Sequence, residues 1–193
     1  MDEDQSFAFR GNAVLNFRLR IRSNSLSVST TKKKGGEVAK TWDVSFAGIQ
    51  TIRISERVGA RTRVSAVYLK PRDGEMAMFC WQKNALGASD ADKKIYYDAA
   101  MAALQAIAEQ RPDLKATFGP DRPSALIGAG LGAIFFIGAT YLGIGEINTI
   151  FWIAAALISA VYAYSAARSG VFKPTRTLTL LEARNELAAN AAR

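Results

Sequence analysis

The chain has 193 residues, of which 49% are hydrophobic, and a formal net charge of +8. It contains no histidine and one cysteine, Cys80. This excludes histidine acid–base catalysis, Ser-His-Asp and Cys-His machinery, His-containing zinc sites and an intramolecular disulfide, and a reducing cytoplasmic setting is natural.

The N-terminus, "MDEDQSFAFR", is acidic and lacks an apolar run, so it does not look like a secretory signal. In "LNFRLRIR", Leu15, Phe17, Leu19 and Ile21 alternate with Asn16, Arg18, Arg20 and Arg22, the period of a half-buried strand. "SLSVSTT" and "EVAKTWDVSF" are expected to form a hairpin around "KKKGG", where Gly35 and Gly36 supply positive φ. "QTIRISE", "RTRVSAVYLK" and "GEMAMFCWQ" follow as strands, the last two separated by the turn signal Pro71-Arg72-Asp73-Gly74. With an extension near Phe7 and Phe9, six or seven antiparallel strands result.

A helix is expected from about Ala91 to Gln110, capped by Ser89 or Asp90 and stopped by Pro112. At 100° per residue, Tyr96, Ala100, Ala103, Leu104 and Ile107 share one face, with Lys94, Asp98, Gln105 and Glu109 opposite. Residues 1–118 therefore form one domain, and "ATFGPDRPS" makes a short, stiff connection with its linker at 119–124.

Six or seven antiparallel strands followed by one helix resemble a pleckstrin-homology-like domain over residues 7–112. "WDVSFAGIQTIRIS" is similar to the strand–turn–strand of bacterial members, which often stand beside transmembrane helices. The helix departs from many eukaryotic members in holding Tyr96 and Tyr97 but no tryptophan. The resemblance implies an α+β fold, an antiparallel barrel or sandwich with one closing helix. It also implies a binding or assembly module without catalysis or cofactor, whose ligand the fold alone leaves open.

Lipid-binding members of that family use a strand-and-loop basic cluster for phosphates. Here Arg18, Arg20 and Arg22 on one strand, with Lys32, Lys33 and Lys34 in the next turn, are the candidate lipid- or anion-binding residues. Each basic residue close to an anionic bilayer contributes about 1 kcal/mol. The favoured reading is that the alternating arginines only solvate the outer sheet face and blunt strand pairing. Nucleic acid is not expected: no stacking platform appears, and "KKKGG" lacks the phosphate-loop spacing. Cys80, within "MAMFCWQ", is expected in the core.

Two uncharged apolar stretches follow, residues 125–145 and 149–167, separated by Glu146, Ile147 and Asn148. As helices they reach about 31 and 28 Å, the thickness of the hydrocarbon layer. A transmembrane helical hairpin over 125–167 is expected, because a chain this small cannot sheath two such helices. Arg111, Lys115 and Arg122 precede the hairpin, and Arg168, Lys173 and Arg176 follow it. The positive-inside bias then places both termini in the cytoplasm of a multi-pass inner-membrane protein. Gly128, Gly132, Ala156 and Ala160, spaced in fours, are the candidate helix-packing residues, within the hairpin or in self-association. No ionisable side chain lies within either stretch, which argues against an ion pathway.

The tail, residues 168–193, is expected to hold a short amphipathic helix. Thr179-x-x-Glu182 is a capping box, and Leu180, Ala183 and Leu187 share a side that rests on the membrane or on the domain. The sequence thus describes a membrane-anchored, non-enzymatic scaffold or sensor. Its expected partners are membrane lipids and a protein partner or further copies of itself. The alternative is an oligomerising, membrane-perturbing effector triggered through the soluble domain.

Overall fold

The computed structural model describes residues 4–32, 38–58, 63–83, 88–119, 122–143, 149–166 and 174–192. The chain divides into two compact units, Met1–Phe118 with Arg176–Arg193, and Gly119–Thr175. The fold is α+β.

In the first unit, β1 (Gln5–Arg10), β2 (Leu15–Ile21), β3 (Ser25–Lys32) and β4 (Val38–Ser45) form an antiparallel sheet in chain order. The alternation in β2 decides its faces: Phe17, Leu19 and Ile21 are buried while Arg18 and Arg20 are exposed. β3 and β4 pair antiparallel as expected, although Lys33, Lys34, Gly35 and Gly36 of the connecting segment lie outside the described residues. The second sheet contains β5 (Ile49–Val58), β6 (Arg63–Pro71), β7 (Ala77–Lys83), β8 (Lys115–Phe118) and β9 (Arg176–Thr179), in the order β7-β6-β5-β8-β9. Gly74 follows β6 with φ +103°, the left-handed conformation that the Pro-Arg-Asp-Gly turn requires.

α1 (Asp90–Gln110) is capped by Ser89, whose hydroxyl accepts from the Asp92 amide while Asp92 reaches back to the Ser89 amide. Tyr96, Ala100, Ala103, Leu104 and Ile107 are buried on the predicted face. They join Phe9, Phe17, Leu19, Ile54 and Phe79 in a core shared by both sheets. Burying such a side chain stabilises by about 1.5–3 kcal/mol. Cys80 is free and buried, and burial pushes its thiol up to about 11.

The structure corrects several expectations. The two sheets do not close into a barrel among the described residues, and the strands are not all antiparallel, since β8 runs parallel to β5. A parallel pair needs a long crossover, which β6, β7 and α1 supply. β8 occupies part of the stretch expected as a connection, where neighbouring Pro112, Gly119 and Pro120 give turn signals that mask a four-residue strand. Of the two places left open for the tail helix, the structure has the one on the domain. β9 pairs antiparallel with β8, and α4 (Leu180–Ala191) packs on α1, burying Leu180, Ala183, Leu187 and Asn190. The predicted capping box is present, with the Thr179 hydroxyl accepting from the Glu182 amide.

The second unit is a helix pair, α2 (Arg122–Gly143) and α3 (Thr149–Ala166). α2 begins inside the expected 119–124 linker, because Pro123 in a first turn suits helix initiation. Side chains are described for 130–138, 140 and 141 in α2 and for 152–161, 163 and 164 in α3. Among the described residues no helix is long and apolar enough to cross a membrane.

Candidate functional site

Three features of the described chain bear on function. The first is the basic face. Side chains directly opposite on paired strands share a face, so register decides which cations meet. Arg18 stands opposite Ser29 and Arg20 opposite Ser27, on the side away from the core. Thr41 and Asp43 of β4 continue these two rows. Arg22 lies one residue beyond β2 and is 3.8 Å from Asp4. Lys32 is opposite Leu15, on the core-facing side of the sheet at its far end. At about 3.3 Å per residue it is some 23 Å along the strand from Arg22. Arg18, Arg20 and Arg22 therefore form one stripe, and Lys32 does not join it. Lys33 and Lys34 lie outside the described residues.

The second is a polar cluster that no sequence motif announces. The Tyr97 hydroxyl donates to Glu56 Oε1 at 2.9 Å, and the Ser65 hydroxyl donates to the same oxygen at 3.3 Å. Ser65 Oγ and the Tyr96 hydroxyl are 2.9 Å apart. Burial raises the Glu56 carboxyl above the usual carboxylate range, opposed by the Tyr97 hydrogen bond and by the Arg63 charge. Burial likewise lifts the Tyr97 hydroxyl to about 12 and the Tyr96 hydroxyl well above the ordinary range.

Arg63 connects this cluster to the tail. Its Nη2 donates to the Asn190 carbonyl at 2.7 Å and to the Tyr97 hydroxyl at 3.4 Å. Lys93 Nζ donates to the Ala191 carbonyl at 2.9 Å and lies 5.9 Å from the Tyr97 ring centroid. α4 has no basic residue in its own last turn. Arg63 and Lys93 supply from β6 and α1 the positive charge that a helix C-terminus favours. They border a cavity of about 550 Å³ together with Trp81, Lys83, Asp90 and Lys94. Among the described residues no cluster of His, Cys, Asp and Glu is arranged to hold a metal ion.

The third is the surface of the helix pair. A Cβ on buried Gly132 would stand 2.8 Å from the Ala163 Cβ and 3.0 Å from its Cα and N, so the two backbones meet there. Ala156 and Ala160 are half-buried, while Gly128 lies in a part of α2 whose side chains are not described. Large apolar side chains point outward on both helices: Phe135 is 66% exposed, Ile137 65%, Leu157 61% and Ile158 71%. The described part of the pair therefore presents an apolar outer surface.

Comparison of the chain with protein-family models, with curated proteins and with solved structures finds no match.

Proposed function

We propose that the protein is a membrane-anchored, non-enzymatic binding module of the inner membrane. In this reading the apolar runs 125–145 and 149–167, which extend beyond the described parts of α2 and α3, form a transmembrane hairpin, and the α+β unit is a pleckstrin-homology-like cytoplasmic domain that engages a partner. The observation that carries the anchor is the combination of a close Gly132–Ala163 seam with exposed Phe135, Ile137, Leu157 and Ile158. Such a pair in water leaves a large apolar area unburied, whereas lipid covers it. The apolar runs 125–145 and 149–167 hold no charge and match the bilayer thickness of about 30 Å. The β8–β9 pair supports a hairpin topology, because Phe118 stands opposite Arg176 and the chain must leave and return on one side of any barrier. The family reading rests on the order of four strands, three strands and then α1, with β8, β9 and α4 as additions.

The test is labelling with a membrane-impermeant maleimide in intact cells, with Cys80→Ala as background. A cysteine replacing Glu146 should react from outside, and one replacing Lys94 only after lysis. Recovery of the chain in the supernatant of an alkaline carbonate wash, or equal labelling at both sites, overturns the reading.

A contact with anionic lipid headgroups is supported by Arg18 and Arg20, exposed on a sheet face where Ser29 and Ala8 flank the first and Ser27 and Ser6 the second. In nanodiscs of phosphatidylglycerol, β2 amides should exchange more slowly than in phosphatidylcholine, with the difference erased by salt. Replacing Arg18, Arg20 and Arg22 by glutamine should remove it. Equal exchange in both lipids refutes the lipid contact.

A further inference from the structure

α4 lies on α1, and its last turn is held by two cations from the rest of the first unit. Arg63 of β6 donates to the Asn190 carbonyl, and Lys93 of α1 donates to the Ala191 carbonyl. Arg63 also donates to the Tyr97 hydroxyl, which donates in turn to Glu56 Oε1. One guanidinium thus stands between the end of α4 and the half-buried carboxyl of β5.

The groups around Glu56 differ in sign from one element to the next. β6 brings the Arg63 charge and the Ser65 hydroxyl. α1 brings the Tyr97 hydroxyl, the Tyr96 hydroxyl behind Ser65, and Lys93 over the Tyr97 ring. α4 brings Glu186, a like charge that acts on the Glu56 carboxyl while paired with Arg176 of β9 at 2.7 Å. The last carbonyls of α4 add the partial negative charge of a helix C-terminus.

Docked α4 therefore opposes the ionisation of Glu56 in three ways. It presents a like charge, it presents a negative helix end, and it draws on the guanidinium that would otherwise serve the carboxylate. A proton costs the cluster no bond: Tyr97 and Ser65 both donate to Oε1, and protonation at Oε2 leaves that oxygen free to accept. The Glu56 pKa is raised accordingly, with burial the largest cause. Coupling is reciprocal, so if docked α4 disfavours the charge on Glu56, that charge disfavours docking. α4 is suited to respond, because a helix of 12 residues is marginal by itself in water and this one buries only Leu180, Ala183, Leu187 and Asn190.

We infer that α4 is a proton-responsive strap, closed on α1 when Glu56 is protonated and opening as Glu56 ionises, which bares the Tyr97 and Lys93 side of α1. The strap loosens as pH rises from the ordinary carboxyl value of 4.5 through the raised one. The device lies within the first unit and does not depend on the membrane reading.

The test is hydrogen exchange on the full chain in detergent from pH 4.5 to about 8, each rate divided by that of an unstructured amide at the same pH. Protection over residues 184–192 should lie below that of β2 at every pH. It should fall by at least about fivefold across the range, the low end of coupling between linked sites. Glu56→Gln, which keeps an acceptor without the charge, should hold 184–192 at its acid level throughout. Glu186→Gln should reduce the fall, and it is the second variant if Glu56→Gln does not fold. Equal protection of 184–192 and β2 at every pH overturns the proposal, because α4 then opens only with the whole domain. A flat wild-type profile overturns it too, as does a fall as large in the variants as in the wild type.

Discussion

Glu56 is a carboxylate held under α1, accepting from Tyr97 and Ser65, and burial raises its pKa from the ordinary 4.5. In the unfolded chain it ionises at its ordinary value, so between the two values the folded state binds more protons. Stability falls as pH rises through that window and levels off above the folded pKa. Glu75, Asp90 and Asp113 act with the opposite sign, because Lys40, Lys83 and Arg111 hydrogen-bond their charged forms and hold their pKa values down. Their contribution is lost as pH falls. Comparing Glu56→Gln with the wild type isolates the first effect: thermal midpoints measured upward from pH 4.5 should fall less steeply in the variant. Parallel profiles would show that Glu56 does not titrate in this window. The cluster was invisible in the sequence, where Glu56, Arg63, Tyr97 and Asn190 are unremarkable single polar residues far apart in the chain.

Among the elements, α2 and α4 show how one contact sets a helix in place. Gly132 meets the Ala163 backbone, whereas a Cβ at Gly130 would meet nothing within 4 Å. Gly132→Leu should therefore force the helices apart and destabilise the pair by about 1–3 kcal/mol, the usual cost of overpacking. Gly130→Leu should be neutral or mildly stabilising, since leucine exceeds glycine in helix propensity by close to 1 kcal/mol. Loss of helicity on titration with a denaturing detergent separates the two, and equal midpoints would deny the seam. α4 depends on cations from elsewhere: Arg63→Met removes the donor to Asn190 and should cost about 1.5–3 kcal/mol, the range for a hydrogen bond to a charged group. Amide exchange should then speed up over residues 184–192 and stay unchanged in β2. The capping box at Thr179, a cap at Ser89 or Asp90, the face of α1 and the side of α4 were legible because they depend on residues within a few positions of one another, whereas the reciprocal Ser89–Asp92 box was not read.

In the whole molecule the helix pair is spliced between two strands that pair with each other. β8 and β9 are separated by the entire second unit, yet Phe118 stands opposite Arg176 and Lys115 opposite Thr179. The first unit is complete only when the chain has returned from the hairpin. A protease site inserted at Glu146 should consequently be cleavable without separating the halves, because the β8–β9 ladder, the α1–α4 contact and the Gly132 seam all join them. Size-exclusion chromatography in detergent should give one peak containing both fragments. Leu178→Pro should weaken the ladder and favour separation after cleavage. If the unsubstituted halves part at once, the tail does not hold the domain.

The sequence by itself determined the local features: strands of period two, a capped helix with one apolar face, two uncharged apolar runs and an amphipathic tail. Each depends on side chains close together in the chain, where spacing and burial are coupled directly. Only the tertiary structure decided which strands are neighbours. Of the expected barrel or sandwich it gave two sheets that do not close among the described residues, placed β8 parallel to β5, paired β9 of the tail with β8 and set Lys32 on the opposite side from Arg18 and Arg20. The reason is that strand periodicity fixes which way a side chain points but not which strand lies beside it. Partner choice is settled by the packing of a core drawn from both sheets, α1 and the returning α4.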